Sequence, residues 1–128
     1  MEHVFYFDGN EKMISWRIET SGTYEDQKRT HAEYYYDKVS VEQSKYIALH
    51  VGIFWGVGRF IIKNGDTVKV MLDRKSMFEH LATNKKTEDR FIENRTNFIL
   101  QLINQRSLDV RYQMVDPFQN KAHVLLNS

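Results

Sequence analysis

The segment from Tyr46 to Ile62 (YIALHVGIFWGVGRFII) runs for 17 residues with His50 and Arg59 as its only strongly polar side chains. A helix that is apolar on nearly every side has to be covered on nearly every side, by a sheet beneath it and by other helices around it. The stretch is shorter than the roughly 20 predominantly apolar residues a membrane span requires, so no membrane role is expected. Gly52 and Gly56, one turn apart, are expected to let the helix approach a sheet closely. Ser40-Val41-Glu42-Gln43 has the pattern of a capping box, which places the helix at about 41–58.

The rest of the chain supplies the sheet. Residues 3–8 (HVFYFD) read as a short central strand ended by Gly9-Asn10. Residues 12–19 (KMISWRIE) alternate as a strand with one wet face does, and 20–27 (TSGTYEDQ) read as turn material. Residues 29–36 (RTHAEYYY) are expected to form a third strand, with Ala32, Tyr34 and Tyr36 on one face. Thr67 to Leu72 is a strand rich in β-branched residues that ends at Asp73, and a short helix follows with Met77, Phe78 and Leu81 inward.

Thr87 is expected to cap a helix over about 88–106, lined by Phe91, Phe98, Ile99 and Leu102. A last strand covers 108–115 and a last helix about 118–127. The expected class is α/β: a mixed five-stranded sheet, three antiparallel strands and then two parallel, flanked by helices. At 128 residues the chain is expected to form a single domain over 1–128 and to bury a real core.

The charge balance narrows the function. Eighteen basic against 17 acidic residues argues against a histone-like binder, which would carry a large basic excess. Cys is absent, which removes disulfides and thiolate metal sites and agrees with a reducing compartment. The N-terminus (MEHVFYFDGN) has no signal-peptide pattern, and a cytoplasmic location is expected.

Two acids stand out. Asp8 and Asp73 each end an apolar strand, where carboxylates can converge at one edge of a sheet. Either one alone reads as readily as a cap of the turn or helix after it; the pair is a candidate site. His3, His31, His50 and His80 show no ligand spacing, and no nucleophile elbow or glycine-rich phosphate loop is visible.

At these residues the chain resembles the ribonuclease H family. The first strand ends in Phe7-Asp8-Gly9, and the helix after the third strand reads Ser44-Lys45-Tyr46-Ile47-Ala48-Leu49, with Gly52-Ile53 one turn on. The fourth strand ends in Asp73 before a short helix, and Asn120-Lys121-Ala122-His123 with Leu125-Leu126-Asn127 matches the last helix. Each motif is short; their order and spacing over the whole chain carry the resemblance. It implies the ribonuclease H fold and a site for two divalent ions held by four carboxylates.

The chain departs from that pattern at two of the four positions. Lys45 stands where the resemblance implies a glutamate, and His123 where it implies an aspartate. Asp8, Asp73 and Lys45 then sum to about −1 in place of about −4, with the ammonium bridging the two retained acids. The resemblance therefore implies no metal, or Mg2+ or Mn2+ held weakly by Asp8 and Asp73. Glu42, one helical turn from Lys45, is the candidate substitute ligand; its simpler reading is a favourable charge in the first turn of the helix.

Arg74, Lys75, Lys85 and Lys86 border the expected site, either as a path for a phosphate backbone or as ordinary solvated faces. Tyr34-Tyr35-Tyr36 reads either as a base-stacking surface or as strand packing. The reading that follows is a ribonuclease-H-like domain, catalytically impaired, that binds nucleic acid or a protein partner. The alternative is a divergent metal-dependent endoribonuclease that cleaves RNA in RNA/DNA hybrids.

Overall fold

The computed structural model describes all 128 residues. Its elements are β1 (Glu2–Gly9), β2 (Met13–Thr20), β3 (Thr23–Thr30), α1 (Val41–Gly58), β4 (Thr67–Leu72), α2 (Lys75–Ala82), α3 (Arg90–Gln105), β5 (Asp109–Met114) and α4 (Lys121–Leu126). One sheet runs in the order β3-β2-β1-β4-β5. The first three strands pair antiparallel, whereas β4 lies parallel to β1 and β5 parallel to β4. This is the expected α/β class.

The apolar helix takes the expected place. Ser40 and Gln43 form the capping box, with Ser40 Oγ accepting from the Gln43 amide at 3.0 Å. α1 lies on β1 and β2, and α3 packs beside it. Phe5, Phe7, Trp16 and Ile18 rise from the sheet to meet Tyr46, Leu49 and Ile53 of the helix. On the other face Tyr6 and Met71 bury against Ala122 of α4. Because β1 is covered on both faces, its sequence is a continuous apolar run and not an alternation.

The two helix glycines set the spacing. A Cβ at Gly52 would lie 2.5 Å from the Phe5 ring and 3.0 Å from Trp16, and one at Gly56 would lie 2.7 Å from Ile18.

Four expectations need correction. The third strand is Thr23–Thr30, not 29–36, because Ser21 (φ 50°) and Gly22 (φ 81°) close a two-residue turn that pairs Thr20 with Thr23 at once. Residues 33–39 are turns, with Tyr34 and Tyr36 exposed and Tyr35 half-buried. The start of α3 is capped by Asp89, whose Oδ1 accepts from the Ile92 amide at 3.1 Å; Thr87 instead accepts from the Asp89 amide. The buried face of α3 is Ile92, Thr96, Ile99 and Leu102, and Phe98 is exposed. The last helix is shorter than expected, since Pro117–Gln119 forms a separate 3-10 turn and Asn120 caps α4.

Burial of histidine makes the fold sensitive to acid. His31 is buried, with Nε2 2.7 Å from Ser44 Oγ and 3.1 Å from the Asn10 carbonyl oxygen. Burial holds its pKa below the ordinary 6.5, outweighing the upward pull of the Asn10 carbonyl. Burial first, and Arg95 second, lower His50 in the same direction.

Below pH 6.5 the unfolded chain therefore binds protons that the folded chain refuses, so stability falls as pH drops. Each such group contributes at most about 1.4 kcal/mol per pH unit. Urea unfolding at pH 7.5, 6.5 and 5.5 is expected to show a falling midpoint, with a shallower decline in His31→Gln. Equal declines in the two proteins would show that His31 is not the group responsible.

Candidate functional site

Parallel pairing of β1 with β4 makes both strands end at the same edge of the sheet. Asp8 is the penultimate residue of β1, and Asp73 follows the last residue of β4. Gly9 then lets β1 touch the first turns of α1: a Cβ there would lie 2.9 Å from both the carbonyl carbon and the oxygen of Ser44. That close approach brings the next helix residue, Lys45, over the strand ends.

Lys45 Nζ lies 2.5 Å from Asp8 Oδ1 and 3.1 Å from Asp73 Oδ1. His123, on α4, places Nδ1 2.6 Å from Asp8 Oδ2. Asn120 Nδ2 donates to Asp73 Oδ2 at 2.9 Å and to the Phe7 carbonyl oxygen at 2.9 Å. Every carboxylate oxygen of the two aspartates thus has a nitrogen partner. Asp8 and Lys45 are 2% and 6% exposed, and His123 is the member of the group that faces solvent. A cavity of about 280 Å³ opens over them, lined also by Asn10, Arg74 and Asn127.

Asp8, Lys45, Asp73 and His123 therefore come together, and Glu42 does not join them. Its carboxylate takes the Ser76 hydroxyl and Arg74 Nη1 (3.5 Å) on the outer side of α1. Among the basic candidates Arg74 reaches the cavity. Lys75 and Lys85 lie 3.9 and 2.8 Å from Glu79, and Lys86 borders a separate 350 Å³ cavity between α2 and α3.

Asn120 is the member of the site that the sequence reading left without a role. Its Oδ1 caps α4 by accepting from the Ala122 amide at 3.0 Å while its amide nitrogen holds Asp73. An Asn just before a helix is a readable cap signal, but a helix start at about 118 lies three residues ahead of the observed one at Lys121 and hides it.

The residues present do not fit a site for two divalent ions. An ammonium sits between the two aspartates where cationic charge is needed, and both acids have their oxygens engaged. No group of three or more Asp, Glu or His side chains is arranged to hold a metal ion.

No protein-family model and no curated protein matches the sequence. Solved structures do match. RNase H1 of the halophilic archaeon Halobacterium salinarum NRC-1 superposes with a TM-score of 0.80 at 14% identity, over 98% of this chain and 94% of that one. The LC11 RNase H1 isolated from compost gives 0.81 at 16% identity, over 98% and 93%. The N-terminal RNase H domain of a Mycobacterium tuberculosis protein gives 0.78 at 15% identity, over 98% and 94%. The LC11 enzyme in complex with an RNA/DNA hybrid matches at 0.74 and 13% identity, over 97% and 92%. At such identities the likeness speaks for architecture, and it extends over almost the whole of both partners: the chain has the ribonuclease H fold.

Proposed function

We propose that residues 1–128 form a single ribonuclease-H-like domain that binds nucleic acid without cleaving it efficiently. The observation that carries this reading is the Lys45 ammonium seated between Asp8 and Asp73. Two-metal hydrolysis requires carboxylate oxygens free to ligate and cationic charge that is mobile or metal-borne. Here the cation is covalently part of the chain.

Support for nucleic acid comes from the compost enzyme of the same fold, which was solved with an RNA/DNA hybrid. Arg74 at the cavity, with Lys75, Lys85 and Lys86 beyond it, offers cations for a backbone. No helix is long and apolar enough to cross a membrane. A cytoplasmic location belongs to the same proposal, and rests on the lack of Cys.

The test is a hydrolysis assay on RNA/DNA hybrid, RNA duplex and single strands, with magnesium and with manganese. Little or no cleavage is expected. Fluorescence anisotropy on the same substrates is expected to show binding that weakens steeply with salt, as counterion release requires. Charge reversal at Arg74, Lys75, Lys85 and Lys86 should weaken it further.

Cleavage that disappears in Asp8→Asn would establish the alternative, a divergent metal-dependent endoribonuclease. Cleavage that disappears in Glu42→Gln would assign the missing ligand to Glu42. Binding that ignores salt, or none at low salt, would leave protein interaction as the role of the domain.

A further inference from the structure

A second surface lies away from the acidic edge, along the seam where α3 packs beside α1. Its centre is Arg95. The guanidinium sits 5.6 Å from the centre of the Tyr35 ring and 5.5 Å from that of Phe91, and those two rings meet edge to face at 5.9 Å. Its Nη1 donates to His50 Nδ1 at 3.1 Å, and its Nη2 to the Tyr35 hydroxyl at 2.8 Å.

Both acceptors are neutral, and they use part of a fork of five N–H donors. The side-chain partners of Arg95 are these two, and no carboxylate is among them. Beyond Arg95 the His50 ring stacks on Phe98 at 6.2 Å with 6° between the planes. Phe98 is 57% exposed, Phe54 one turn beyond His50 is 64% exposed, and Tyr34 at the other end is 79% exposed.

Single apolar side chains at a surface need no explanation, but exposed aromatics ranged about an unneutralised arginine do. Aromatic residues and arginine are the types that anchor protein interfaces.

Charge decides the occupant. From Tyr46 to Gly58 on α1, and from Thr96 to Gln105 on α3, there is no Lys, Arg, Asp or Glu. A nucleic-acid backbone would meet one cation here, although polyphosphate binding draws on several. A second copy of this chain presenting the same face would offer Arg95 no carboxylate from these stretches of α1 and α3. A carboxylate carried between apolar side chains answers both features, because it takes the free edge of the guanidinium while its neighbours cover Phe54 and Phe98. We infer that the exposed aromatic face along the α1/α3 seam is a docking site for a peptide segment bearing one Glu or Asp flanked by apolar side chains.

The test uses the full chain and a synthetic library of helical peptides. Each carries Leu, Phe and Trp at three- and four-residue spacing around one central Glu, and a matched set carries Gln there. Binding is read by fluorescence anisotropy. Glu members are expected to bind about tenfold tighter than their Gln partners, and Arg95→Gln should erase that preference.

Phe54→Ser with Phe98→Ser should weaken both sets; these side chains are exposed, so an unchanged thermal melt certifies the fold of the variant. Any of four results would overturn the proposal. These are no Glu member that binds below millimolar, equal binding of the Glu and Gln sets, displacement of a bound Glu peptide by a short oligonucleotide, and wild-type dimerisation lost in Phe98→Ser. Because the acidic edge plays no part, hydrolysis and hybrid binding in these variants report separately on the proposed function.

Discussion

Replacing Lys45 by methionine is expected to destabilise the protein by about 3–5 kcal/mol, the cost of leaving buried charges without their counter-ion. Asp8 and Asp73 have side chains only 3% and 7% exposed, and both lean on the one ammonium, at 2.5 and 3.1 Å. Methionine fills the space of the stem but supplies no charge, so the two carboxylates would face each other with His123 and Asn120 as their remaining partners. Urea unfolding at pH 7.5 reads the loss.

The double variant Lys45→Glu with His123→Asp goes further and places four carboxylates at the strand ends. It is expected to be weaker still in EDTA, and to regain stability with magnesium or manganese. A ligand that binds only the folded state stabilises by about 2.7 kcal/mol at a hundred times its Kd. Wild type should show no comparable shift in Tm, because its own ammonium already offsets the acids. An equal metal-dependent gain in wild type and double variant would mean that Lys45 leaves the position open, and the reading of an internal cation would fall. Any hybrid cleavage regained by the double variant should be partial, since catalysis depends on ligand placement to a fraction of an ångström.

Gly52→Val is expected to cost about 3 kcal/mol, at the upper end of what overpacking a close-packed core costs. The added Cβ alone would stand 2.5 Å from Phe5 and 3.0 Å from Trp16, and neither ring can retreat, since both are fully buried under α1. The helix would have to lift from β1 and β2, carrying Lys45 with it. A second glycine supplies the contrast. Gly58 ends the same helix with nothing within 4 Å of an added Cβ, so Gly58→Ala should be neutral or stabilising, by up to about 1 kcal/mol of helix propensity. Urea midpoints for the two variants should move in opposite directions, or one should not move at all. A tolerated Gly52→Val would show that the helix and sheet are not held at the spacing described.

Much of this was legible in the residues themselves. The span of α1 follows from an apolar run opened by Ser40 and Gln43, because capping and burial are local and strongly patterned. Gly52 and Gly56 announce a close approach, because only a missing side chain permits one. Asp8 and Asp73 could be singled out because each ends an apolar strand, where a carboxylate has no place in a core.

The third strand was missed for a physical reason. β3 lies at the edge of the sheet and buries neither face fully, so TYEDQKRT carries no alternation to read, and the tyrosine run drew the strand toward itself. Phe98 was placed inward because apolar residues on a helix are usually turned that way. What turned it outward was the choice of neighbour, with α3 packing on α1 through Ile92, Ile99 and Leu102.

Tertiary structure alone decided what the acids meet. Residues 8, 45, 73, 120 and 123 are scattered along the chain, and no local pattern states which nitrogen each oxygen takes. The parallel pairing of β1 with β4 and the touch of Gly9 on Ser44 brought the ammonium within 2.5 Å of Asp8, and the cap of α4 brought Asn120 to Asp73. Residue types and element ends are written locally; the partners of a buried charge depend on which strands lie side by side.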